Sequence, residues 1–175
     1  MKNLFSTSIG KKFAMAISAI FLMIFLLQHF IINITSVFSE DIFNMLSHFM
    51  GTNFLVQFIL QPILIAGVLF HFIMGFYLEI QNRKAAKYEY QKEKGSANST
   101  WMSRNMITSG LVILAFLVLH FIDFWVPEMN HKYIEFLPED PNRYFKHLVH
   151  KFENPLRVAM YLSLIHISEP TRPFH

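Results

Sequence analysis

Cysteine is absent from this 175-residue chain, and charged residues are scarce. Without cysteine there is no disulfide framework, no thiolate metal site and no prosthetic group attached through a cysteine. Only 15% of the residues are charged, whereas 53% are hydrophobic, including 20 Phe and 10 Met. This share of apolar residues exceeds that of ordinary soluble domains, so the composition indicates an integral membrane protein.

Charge is nearly missing from long stretches of the chain. Between residues 13 and 82 the charged residues are Glu40, Asp41 and Glu79. Apolar runs longer than about 18 residues are typical of transmembrane helices, because the hydrocarbon core takes roughly 20 residues to cross. We therefore predict an all-α transmembrane helical bundle. Its three complete spans lie at about 13–38, 54–80 and 106–126, and Pro127 is expected to end the third.

Basic residues are distributed unevenly between the connecting segments. Three lysines precede the first span and six basic residues lie in the 81–105 linker, whereas residues 39–53 contain no Lys or Arg. By the positive-inside rule, the N-terminus and the 81–105 linker face the cytoplasm. The 39–53 and 128–154 segments are then expected to face outward.

The C-terminal part of the chain interrupts this pattern. Val158–Ile167 begins like a fourth span, but ten residues rise only about 15 Å, half the thickness of a bilayer. The polar and proline-containing segment 168–173 follows at once. We predict an incomplete membrane domain over residues 1–160 with an aborted fourth span. Residues 161–175 are expected to be a non-native tail, because they resemble translated sequencing-adapter read-through, so the sequence is interpreted as a fragment.

Three histidines, His29, His71 and His120, each lie deep inside a different apolar run. An ionisable side chain inside a membrane span is costly and usually functional. Imidazole is also the usual axial ligand of haem iron, and helix bundles supply such ligands from facing helices. Counted from the inner surface, His29 and His120 lie at about 21–24 Å and His71 at about 13 Å. His29 and His120 are therefore predicted to hold one haem iron, and the partner of His71 is expected on a fourth helix.

Several other interpretations of the histidines stay open at this point. A single membrane histidine often serves as a hydrogen-bond partner between helices, and three could form a proton relay in a small transporter. The chain could also be a haem-free structural anchor that docks partners. Gly67 and Gly75, one turn either side of His71, admit a flat macrocycle or another helix equally well. A zinc site is less favoured because such sites need four close ligands. His147 and His150 are interpreted as part of a solvated surface.

Four segments carry a resemblance to a known family. They are FLLQHFIIN around His29, FNMLSHFM around His48, LFHFIMGFYLE around His71, and RNMITSGLVILAFLVLH ending at His120. In this order and spacing, over about residues 5–160, the chain resembles the cytochrome b membrane subunit of succinate dehydrogenases and fumarate reductases. The similarity is to the single-chain, five-helix, di-haem type.

The resemblance implies a role for each of the three histidines. His29 and His120 would be axial ligands of the iron of the distal haem b, and His71 one ligand of the proximal haem. The family's fourth ligand and its fifth helix are missing from this sequence, and the position of His48 is not an axial ligand in the family.

The resemblance also implies function and surroundings. The chain would transfer electrons between cytoplasmic flavoprotein and iron–sulfur subunits and a membrane quinone, with menaquinone expected. It would lie in a bacterial inner membrane, surrounded by lipid and without a nucleic-acid partner. Chemistry on succinate or fumarate would occur on the flavoprotein rather than on this chain, and the physiological direction stays open.

Overall fold

The computed structural model describes residues 7–85 and 106–168, and this part of the chain is helical and contains no strand. The helices fall into two compact units. The first comprises Met1–Asn82 with Pro141–Lys146, and the second comprises Arg83–Asp140 with His147–His175. The all-α prediction is confirmed for the described residues.

The first unit begins with two helices that share a capping residue. Helix α1 spans Ser8–Phe38, and the Thr7 side chain caps its first turn. Ser39 ends α1 in extended conformation, and its hydroxyl then accepts a hydrogen bond from the Ile42 amide at the start of α2, Glu40–Thr52. A serine in this position satisfies amide groups that a helix start leaves without partners. The junction is therefore a sharp break between two helices.

The second long helix of this unit starts at Asn53. The Asn53 side chain accepts hydrogen bonds from the amides of Leu55 and Val56, at 3.0 and 3.3 Å. A π-helical turn over Val56–Leu60 then leads into α3, Gln61–Ala85. Together they form an apolar helix over Val56–Asn82.

The second unit contains a long continuous helical segment, residues 106–134, which we call the rod. It extends beyond the predicted third span, 106–126. Helix α4, Met106–His120, continues through a π-helical turn at Phe121–Trp125, a short helix α5 at Val126–Met129, and a second π-helical turn at Asn130–Ile134. The prediction that Pro127 ends this span was wrong. Proline is tolerated at the start of α5, because a new α-helical turn begins there after the π-helical one and proline is compatible with the first turn of a helix.

Two shorter helices follow the rod. They are α6, Arg143–Phe152, and α7, Pro155–Ser168, whose first turn is capped by the Asn154 side chain. The 14 residues of α7 rise about 21 Å, which is too short to cross a membrane. Its interpretation as an aborted fourth span stays a prediction, as does the non-native origin of residues 161–175.

Apolar side chains point outward over most of the long helices. Within residues 7–85 and 106–168, three helices are long and apolar enough to cross a membrane: Ile9–Phe38, Val56–Asn82 and Ile107–Ile134, with mean hydropathies of 2.3, 2.0 and 2.1. Among the described residues, the buried hydrophobic side chains are Phe43, Leu119 and Tyr161. So much exposed apolar surface is unfavourable in water and favourable in lipid. The architecture is that of a membrane-spanning protein.

Candidate functional site

His71 makes a polar contact between two apolar helices of the first unit. Its Nδ1 atom on α3 lies 2.9 Å from the Ser18 hydroxyl oxygen on α1. Ser18 is buried, and its hydroxyl also donates a hydrogen bond to the Met15 carbonyl one turn earlier, at 2.8 Å. A hydrogen-bonded pair of this kind fixes the orientation of both side chains inside an apolar environment.

The glycines beside His71 provide room for α1. A Cβ atom added at Gly67 would lie 3.1 Å from the Phe21 ring, and one added at Gly75 would lie 3.7 Å from the Met15 methyl group. Of the two alternatives left open by the sequence, the structure therefore shows the approach of another helix. Phe21 fills the space beside Gly67, so this glycine does not offer a cradle for a macrocycle. The imidazole itself remains a chemically suitable iron ligand.

His29 lies on α1 and is half-buried. Its ring stacks against Phe25, with centroids 5.6 Å apart and an interplanar angle of 23°. The Asn33 amide, one turn further on, donates a hydrogen bond to the backbone carbonyl of His29 at 2.7 Å. Asn33 thus acts within its own helix, on a neighbouring carbonyl.

His120 is the last residue of α4 and is also half-buried. The centroid of its ring lies 6.1 Å from that of Phe116, with the two rings nearly parallel, and 5.1 Å from that of Phe124. The π-helical turn Phe121–Trp125 begins at the next residue. Turns of this kind inside long helices occur frequently at functional sites. The His120 imidazole therefore lies between two aromatic rings, directly before a change in helix geometry.

His29 lies in the first compact unit and His120 in the second, and their pairing at equal height stays a prediction. Within residues 7–85 and 106–168, no three potential metal-ligating side chains come together. Haem differs from such a group in that its iron takes two axial ligands from the protein.

Asp123 is the centre of a buried polar cluster that the sequence interpretation missed. Its side chain is 0% exposed, and the Tyr161 hydroxyl on α7 donates a hydrogen bond to its Oδ2 atom at 3.1 Å. Arg157 and Lys151 lie 3.4 and 3.7 Å from Oδ1. Burial and the Asp123 carboxylate raise the pKa of Tyr161 above its usual range, so the phenol stays protonated and donates.

His147 is bound to the same segment, so its interpretation as solvated surface was wrong. Its Nε2 atom lies 3.0 Å from the Asp123 carbonyl, and its ring contacts Phe124. That carbonyl is four residues before Pro127, and it would accept the amide hydrogen that proline lacks. His147 therefore replaces a missing backbone donor. His150 is 81% exposed, as expected for a solvated residue.

This replacement predicts a specific coupling between His147 and Pro127. We expect His147→Ala to destabilise the protein by about 1–3 kcal/mol, because a buried carbonyl loses its donor. In a Pro127→Ala background the new amide supplies a donor, so the same change should cost clearly less. Thermal unfolding in detergent of both single variants and the double variant measures this coupling. Strictly additive effects would show that His147 does not substitute for the amide.

His48, whose role the sequence left open, lies beside a second buried polar residue. Its ring meets the Tyr144 ring edge-on at 6.2 Å. Asn44, one turn earlier on α2, is 3% exposed and accepts a hydrogen bond from the Phe145 amide at 2.8 Å. These contacts attach the first turn of α6 to α2, which is a structural role.

Comparison with known proteins adds no relatives to this picture. No family model, no curated protein and no solved structure matches the chain.

Proposed function

We propose that this chain is a haem b-containing membrane anchor subunit. It would transfer electrons between a cytoplasmic succinate dehydrogenase or fumarate reductase and a membrane quinone, menaquinone in particular. The observation that carries the proposal is that His29, His71 and His120 each lie inside a different one of the three long apolar helices found among the described residues. Polar side chains at such positions are expensive and rarely retained without a function.

The chemistry of the histidines supports a haem more than a relay of protons. Haem iron with two imidazole ligands has no open coordination position and carries one electron at a time. The chain's own residues would ligate the iron, exclude water from it and adjust its potential through hydrogen bonds to the ligating rings. His71 already has such a hydrogen-bond partner in Ser18.

The proposal includes the surroundings that the resemblance implies. Cytoplasmic flavoprotein and iron–sulfur subunits would dock on the side that carries the N-terminus and the basic 81–105 linker. The membrane would be a bacterial inner membrane. The chain itself would perform no chemistry on succinate or fumarate.

The alternative is a small transporter or proton-relay bundle without haem. Such a relay needs ionisable companions for its histidines. The polar partner of His71 is a serine hydroxyl, and the buried Asp123 carboxylate is already engaged with Arg157 and Lys151. These contacts favour the electron-transfer proposal.

A reduced-minus-oxidised absorption spectrum of the full chain, purified in detergent, tests the proposal directly. We expect a b-type band and a coloured preparation, because haem held by the proposed imidazole ligands would absorb visible light. The variant His150→Ala provides a matched control, since that histidine is solvent-exposed and should leave the spectrum unchanged. A correctly inserted but colourless protein would reject the proposal in favour of a relay or a haem-free anchor.

A further inference from the structure

The Ser18 hydroxyl has a single proton and two neighbours that could receive it. Its oxygen lies 2.8 Å from the Met15 carbonyl oxygen and 2.9 Å from the Nδ1 atom of His71. A carbonyl oxygen can only accept a hydrogen bond, whereas a neutral imidazole nitrogen either donates or accepts, depending on its tautomer. The serine contact therefore decides where the histidine proton resides.

The two possible arrangements differ in the number of hydrogen bonds that they form. If Ser18 donates to the Met15 carbonyl, Nδ1–H of His71 can donate to the serine oxygen, and both contacts are hydrogen bonds. If Ser18 instead donates to Nδ1, the contact with Met15 is lost and the proton of the ring lies on Nε2. In an apolar helix interface, the arrangement with more satisfied polar atoms is favoured.

We propose that Ser18 is a positioning residue that holds His71 in the Nδ1–H tautomer, so that Nε2 presents its lone pair to haem iron. The inference rests on the proposed function for the identity of the ligand. The position of the serine is fixed independently, because Phe21 against Gly67 and Met15 against Gly75 hold α1 on α3 on either side of it. A ligating histidine typically needs such a partner on its second nitrogen to orient the ring.

The variant Ser18→Ala removes the acceptor of the Nδ1–H group. The ring then loses its orientation and its preferred tautomer, and we expect the affinity for haem at His71 to fall about tenfold or more. The midpoint potential of the haem that remains bound should rise, because the lost hydrogen bond made the ligand more basic. In Ser18→Thr, the haem affinity and the midpoint potential should stay close to those of the unmodified protein. A threonine hydroxyl in a helix makes the same hydrogen bond to a preceding carbonyl.

Ser36 provides the matched control on the same helix. Its hydroxyl also donates to a carbonyl three residues earlier, that of Asn33, at 2.7 Å. The variant Ser36→Ala therefore removes an equivalent bond within α1 without touching His71. We expect its haem content and potential to equal those of the unmodified protein.

The tautomer is measured by ¹⁵N NMR of the full chain labelled at histidine, in the dithionite-reduced state, with His71→Gln to assign the signal. The inference is supported if the proton of His71 lies on Nδ1. It also requires that Ser18→Ala, but neither Ser18→Thr nor Ser36→Ala, changes the His71 signal, the haem content and the midpoint potential. A proton on Nε2, or unchanged haem content and potential in Ser18→Ala, would overturn the inference. If the unmodified protein carries no haem, the proposed function fails, while a proton on Nδ1 would still establish the action of Ser18.

Discussion

Replacing either His29 or His120 by alanine is expected to remove the same haem b from the purified protein. If the two imidazoles ligate one iron, loss of either ligand destroys the low-spin site, and the double variant loses no more haem than each single variant. The measurement is the ratio of haem to protein, together with the low-spin signal of the oxidised state. Each variant is expected to lose a whole cofactor, so the change in haem content should be larger than any change that altered packing would cause.

Two further variants define what the result means. His150→Ala should retain all haem. His150 is a histidine like His29 and His120, but its side chain is exposed to solvent. His71→Ala should leave the haem of His29 and His120 in place, because His71 is predicted to serve a different iron. A shared site would be contradicted if the double variant lost as much haem as the two single variants together. It would also be contradicted if only one of His29→Ala and His120→Ala lost haem.

The long helices could be predicted from the sequence because their signal is local. Runs of apolar residues without charge indicate spans wherever they occur, and the part of the chain that the structure describes contains three such helices. The end of the third helix could not be predicted in the same way. Pro127 normally indicates a helix boundary, but the π-helical turn before it and the His147 side chain accommodate it. Both compensations depend on how the chain folds back on itself.

The hydrogen-bond partners of the polar residues could not be predicted from the sequence either. A serine in an apolar helix has no pattern of its own, so nothing indicated that Ser18 contacts His71, 53 residues later. Asp123 and Tyr161 are likewise 38 residues apart in the chain. Isolated polar residues in apolar runs show where a contact is needed, and only the fold shows which residue supplies it.

The cluster around Asp123 leads to the second prediction with a large effect. We expect Asp123→Ala to reduce the free energy of unfolding by about 3 kcal/mol, because it leaves two cations without their buried counter-charge. Arg157 and Lys151 remain about 31% and 27% exposed, so water relieves part of the cost and the loss should not exceed this value greatly. Tyr161→Phe removes one hydrogen bond to the carboxylate and should cost about 1–3 kcal/mol.

A compensated variant distinguishes an unpaired charge from a simple packing defect. Replacing the network by apolar groups, with Asp123→Leu, Lys151→Met, Arg157→Met and Tyr161→Phe together, should recover much of the stability lost in Asp123→Ala, since no buried charge and no buried hydroxyl is left unpaired. Chemical unfolding in detergent, followed by circular dichroism, measures all variants. Glu153→Gln is the control, because its ion pair with His150 is exposed and should contribute little. If this fourfold variant were as unstable as Asp123→Ala, the shape of the Asp123 side chain rather than its charge would hold α6 and α7 against the rod.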